Sequence, residues 1–132
     1  MNSVQRIMIM HRPISLLTAL LTVFVFQAHA HTALTATTPA DTAITSASPE
    51  ELVLEFNGEV RLLNLSLISG ADESVKLGSL PSTTQASFSI PVMAELAAGN
   101  YLVTWRAVGA DTHPVSGEIR FSVAGGDSLA AR

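Results

Sequence analysis

Residues 100–123 read "NYLVTWRAVGADTHPVSGEIRFSV". Two runs in this stretch alternate with a period of two. Tyr101, Val103, Trp105 and Ala107 share one side against Leu102, Thr104, Arg106 and Val108. Ile119, Phe121 and Val123 stand against Glu118, Arg120 and Ser122. Strands that bury one face and wet the other read this way, and antiparallel sheets packed together are built from them. Gly109 to Pro114, between the two runs, has the composition of a turn.

The same period recurs upstream. In "ELVLEFN" Leu52, Leu54 and Phe56 share a face; in "RLLNLSLIS" Leu63, Leu65 and Leu67 are expected to point one way; in "ASFSIP" Phe88 and Ile90 go together. Turn signals separate the runs at Thr38-Pro39, Ser48-Pro49, Ser69 to Asp72, Pro81-Ser82 and Ala98 to Asn100. Short strands near Leu34 and Val75–Leu77 bring the count to about seven, the number expected of a small Greek-key sandwich. The fold class is therefore all-β. Only "MAEL", near Met93, suggests a helical turn. Tyr101 and Trp105 are expected in the core, because their spacing with Val103 is that of one strand face.

The N-terminus is of another kind. Met1 to Arg12 carries Arg6 and Arg12 and no acid; "PISLLTALLTVFVF", residues 13–26, is apolar; Ala28-His29-Ala30 places small residues where a signal peptidase reads. That order predicts a cleaved secretory signal peptide over residues 1–30. A membrane span needs about 20 apolar residues, and this run is shorter. The predicted domain is residues 31–124, and "GGDSLAAR", residues 125–132, is a flexible tail that has lost the alternation. No second apolar run follows, so no membrane insertion is expected after cleavage, and export to the periplasm is the predicted address.

Beyond residue 30 the positive charges are Arg61, Lys76, Arg106, Arg120 and Arg132, against 11 acids in all, which makes nucleic acid an unpromising partner. The chain has no cysteine. Disulfide staples, thiolate metal sites and cysteine nucleophiles are thereby excluded. Ser66, Ser87, Ser116 and Ser122 lack a G-x-S-x-G setting, and with so few histidines a Ser-His-Asp triad is improbable.

Two histidines remain after the predicted cleavage, His31 and His113. Cleavage after Ala30 would make His31 the first residue, whose free amine and ring nitrogen close one chelate ring on a metal. Asp111 and His113, in "DTHP", add a carboxylate oxygen and an imidazole. In extended chain, residues two apart project to the same side. Pro114 biases His113 towards extended geometry. Three nitrogens and one oxygen in a tetragonal set suit Cu(II), which also heads the divalent affinity order. Structural zinc favours tetrahedral sites, often with thiolate; calcium and magnesium want more oxygens. From these residues alone two readings stay open. D-x-H-P is equally the sequence of a loop whose Asp accepts backbone hydrogen bonds.

The run G-x-Y-x-V-x-W-R-x-V-x-A-D-x-H-P-V-x-G over residues 99–117, with His31 before "TALTATTPAD" and with "LVLEFNGEV", resembles the CopC family of exported copper-resistance proteins. The resemblance covers nearly all of residues 31–123. It implies a Greek-key β-sandwich or barrel of cupredoxin-like or immunoglobulin-like type. It also implies one Cu(II) ion held by His31 (amine and ring), Asp111 and His113, and a CopD-type inner-membrane protein as recipient. Two features depart from the family. Only Met93 remains after residue 30, and soft Cu(I) wants several thioethers, so no dedicated Cu(I) site is expected. Where many members carry F-S-E-P-V, this chain has "FNGEV", which places the family's glutamate at Gly58 and shifts Glu59 by one residue. Such a shift in a strand reverses the face.

The expected function is a monomeric Cu(II)-binding protein of copper resistance and homeostasis, without catalysis. A copper mono-oxygenase built on an N-terminal histidine and a metal-free adhesion or assembly sandwich are the alternatives. The first would need an open coordination position.

Overall fold

Seven strands form: β1 (Leu34–Thr38), β2 (Ile44–Thr45), β3 (Glu51–Ser69), β4 (Ser74–Val75), β5 (Gln85–Pro91), β6 (Gly99–Gly109) and β7 (Pro114–Val123), with the runs "ELVLEFN" and "RLLNLSLIS" joined in β3 and β2 added where no alternation marks it. The computed structural model describes residues 31–125; the expected signal peptide and all but the first residue of the expected tail lie outside the described residues. Among these residues no helix is long and apolar enough to cross a membrane.

β3 organises the molecule. At 19 residues it is far longer than the usual strand of about 5–6. Its first half, Glu51 to Glu55, lies between β1 and β5, and its second half, from Val60, pairs with β6 along one edge and with β4 near its end. Between the halves Asn57, Gly58 and Glu59 are exposed and the β5 register breaks. The strand therefore bends there and serves two layers of one curled sheet, ordered β1-β3-β6-β7-β2, with β4 and β5 attached to β3. β2 joins β7 in parallel.

The inward faces meet in one core that includes Leu52, Leu54, Phe56, Phe88, Val103 and Phe121. Tyr101 and Trp105 are buried in it, as their spacing predicts. Phe56 meets Phe88 edge-on at 6.0 Å and Trp105 at 5.3 Å, while Tyr101 stacks on Phe121 at 5.5 Å. Tyr101 keeps its hydroxyl satisfied by donating to the Ala97 carbonyl at 2.6 Å.

Two local expectations are corrected. Leu63 does not share the face of Leu67: it is 44% exposed, and Leu62 is buried in its place. The cause is a bulge. Leu62 pairs with Ala107 and Asn64 with Arg106, so Leu63 is an extra residue and the alternation changes phase across it. Nor do residues 93–96 form a helical turn. Their backbone donors are drawn sideways, Met93 N–H to the Lys76 carbonyl and Leu96 N–H to Ser48 Oγ, while Leu96 itself enters the core.

Gly117 stands opposite Trp105 in the β6–β7 ladder. A Cβ there would meet the indole at 2.9 Å. Gly117→Ala is expected to lower unfolding stability by about 1–3 kcal/mol through overpacking, read as a drop in thermal midpoint with a shifted tryptophan emission. An unchanged midpoint would mean that the indole has room to move.

Candidate metal centre

The β6–β7 hairpin carries the first half of the site. Its last paired residues are Val108 and Pro114, leaving a loop of residues 109–113. Thr112 donates its N–H to the Gly109 carbonyl at 3.0 Å, and Thr112 has a φ of 64°. A turn followed by a left-handed residue is a common way to close a hairpin loop longer than two. Asp111 and His113 are thus brought together by a turn, and not by the extended geometry expected of D-x-H-P. The left-handed Thr112 between them folds the chain back.

Within the loop Asp111 makes the backbone bond of the turn reading and also reaches the His113 ring. Oδ1 accepts the His113 backbone N–H at 3.2 Å, as in an Asx turn, and Oδ2 lies 3.0 Å from His113 Nδ1. The imidazole hydrogen bond, followed by the backbone one, holds the Asp111 carboxyl below its ordinary pKa. The carboxylate therefore stays ionised through neutral and mildly acidic pH. With Nδ1 turned to Asp111, Nε2 is the nitrogen left to face a ligand. The His113 side chain is 83% exposed and that of Asp111 45%.

The second half comes from the chain ahead of β1. The β1–β3 ladder begins at Leu34↔Phe56, so residues 31–33 run on past the point where β3 bends. There the Asn57 N–H donates to the Ala33 carbonyl at 3.0 Å, Asn57 Oδ1 accepts the Ala33 N–H at 2.9 Å, and Asn57 Nδ2 donates to the His31 carbonyl at 2.9 Å. Thr32 lies over Gly109, where any side chain would strike its hydroxyl. The segment is thereby laid against the base of the hairpin loop.

The two halves enclose a surface cleft of about 680 Å³, lined by His31, Asn57, Glu59, Asp111, His113 and Val115 among others. All three predicted ligands face this one cleft. Only Asp111 and His113 touch, and among the described residues no three histidines or carboxylates already stand in a closed ligand set. Glu59 lines the cleft, at the break in the β3–β5 register. Arg106 is exposed, and Glu118 pairs with Arg120 at 2.8 Å on the outer face of β7. A second cleft of about 590 Å³, lined in part by Ile44, Ile68, Leu102 and Arg120, carries no histidine. Among the described residues both histidines line the cleft at the hairpin end.

Asn57 and Gly109 were not apparent as site residues from sequence. The signal for Asn57 was present: Asn-Gly inside an otherwise apolar alternating run marks a bend. The signal for Gly109 was not, since its role depends on Thr32 crossing it.

Comparison with known proteins agrees with this architecture. A family profile, the CopC domain, matches residues 34–124. Copper resistance protein C of Pseudomonas syringae pv. tomato is 33% identical over 106 residues, covering 73% of this chain and 82% of that protein. The crystal structure of CopC from Methylosinus trichosporium OB3b superposes with a TM-score of 0.64 at 25% identity, covering 75% of this chain and 99% of that one. PcoC, a methionine-rich copper resistance protein from Escherichia coli, superposes with a TM-score of 0.58 at 30% identity, covering 71% and 99%.

Proposed function

The chain belongs to the CopC family, and from that premise we propose that it is a periplasmic Cu(II)-binding protein of copper resistance, working without catalysis. It takes up one Cu(II) ion and either sequesters it or hands it to a CopD-type inner-membrane protein. The observation that carries this reading is the single cleft shared by His31, Asp111 and His113. Copper is cargo here, and the donor chemistry fits it. Once residues 1–30 are removed, His31 offers an amine and a ring nitrogen, and once the His113 ring turns out of its hydrogen bond to Asp111, His113 offers a ring nitrogen and Asp111 an anionic oxygen. A set of nitrogen and oxygen donors suits Cu(II). Exposure of His113 leaves its ring free to turn towards His31 as the ion arrives.

Soft Cu(I) has no matching set. Among residues 31–132 the one thioether is Met93, in contrast to the methionine-rich E. coli relative. The expected outcome is a single Cu(II) equivalent per chain and no comparable uptake of Cu(I).

Acid should release the ion. Binding requires nitrogen ligands without their protons, so each nitrogen that takes up a proton weakens binding by about tenfold per pH unit below its pKa. Asp111 does not share in this loss under mild acid, because its pKa is lowered and the carboxylate is already ionised. A Cu(II) titration of the chain beginning at His31, read by spin resonance for the ligand set, tests the proposal. Affinity is expected to fall steeply from mildly alkaline to mildly acidic pH. Unchanged affinity across that interval, or a spectrum without nitrogen ligands, would overturn it.

A further inference from the structure

We propose that Asn57 is a positioning residue that presets the N-terminal segment for metal capture, its carboxamide acting as a strand partner beyond the last main-chain bond to β3. The proposal rests on the copper reading above and extends it to a residue that touches no metal.

A chain end ahead of a strand frays unless something holds it. Here the β1–β3 ladder runs out at Leu34↔Phe56, and His31 lies three residues further on. Among the described residues the bond from Asn57 N–H to the Ala33 carbonyl is the last main-chain bond between β3 and the segment ahead of β1. The Asn57 side chain carries the pairing on. It offers an acceptor to the Ala33 N–H and a donor to the His31 carbonyl, both at 2.9 Å. The Ala33 N–H can only donate, which fixes the carboxamide orientation. A peptide group on a neighbouring strand would present the same donor and acceptor pair. Only an amide side chain supplies both at once: aspartate has no donor to give His31, and serine lacks the reach to bond both groups.

The consequence is order before binding. His31 is held by its own carbonyl beside the Asp111–His113 loop, with Thr32 seated on Gly109. Asn57 itself is exposed and outside the core. Its loss should therefore affect the site and leave the fold.

The test compares the chain beginning at His31 with its Asn57→Ala and Asn57→Asp variants. Thermal midpoint and Ala33 amide exchange are measured without metal; Cu(II) affinity by competition and spin-resonance spectra are measured with it. Asn57→Ala is expected to melt like the parent, to exchange the Ala33 amide faster, and to bind Cu(II) roughly 10–100-fold more weakly, the usual effect of removing a supporting partner. Its spectrum should show a mixture of ligand sets. Asn57→Asp keeps the Ala33 bond and should retain slow Ala33 exchange. Equal affinity and an unchanged spectrum in Asn57→Ala, with the parent binding through His31, would overturn the positioning role and leave the copper reading standing. Loss of affinity only in step with a lower thermal midpoint would overturn it too. Failure of the parent chain to bind Cu(II) would sink the copper reading itself, and the positioning role with it.

Discussion

A chain carrying one extra methionine ahead of His31 is expected to bind Cu(II) about 1,000-fold more weakly than the chain that begins at His31, a difference of about 4 kcal/mol. The added residue changes no contact within the domain. His31 is exposed, and the first strand residue is Leu34. What it removes is the terminal amine, which becomes an amide that gives up its proton far less readily, and ligands must be deprotonated to bind. The chelate ring formed by amine and imidazole is lost with it. The apo proteins should melt together, and the spectrum of the extended chain should lose one nitrogen ligand. Equal affinities would show that the amine takes no part, leaving Asp111 and His113 as an ordinary loop pair.

The second large effect is on stability. Phe88→Ala is expected to cost about 3–5 kcal/mol, the range for deleting a buried phenylalanine, out of the roughly 5–15 kcal/mol that holds a domain folded. Phe88 is 1% exposed and meets Phe56 edge-on at 6.0 Å, and Phe56 in turn meets Trp105. The cavity would open directly beneath the β3 bend, because Phe56 precedes Asn57 in the chain. Denaturant unfolding should therefore show the loss in midpoint, and Cu(II) affinity should fall as well through a looser bend. A loss under about 1 kcal/mol would mean that the two halves of β3 collapse on the cavity.

How far the site could be seen in advance varied by residue. Asp111 and His113 are two positions apart, and their pairing is local, although the turn with left-handed Thr112 that makes it was not the extended geometry expected. The strand faces of β5, β6 and β7 were equally legible, since Phe88, Ile90, Val103, Trp105, Ile119 and Phe121 keep strict alternation and are buried. Leu63 was misassigned because a bulge inserts a residue without changing composition. Short β2 escaped notice because two residues carry no period; its place is set by pairing with Ser122 and Val123.

Alternation and turn chemistry by themselves determined an all-β domain, most of its core, and the acid–imidazole loop, because each depends on residues a few positions apart. Tertiary structure decided that the segment from His31 reaches that loop. This needed β3 to bend at Asn57-Gly58, Asn57 to bond a carbonyl 26 residues away, and Gly109 to leave room for Thr32. Contacts between distant segments depend on shape and free space, which a linear pattern does not encode.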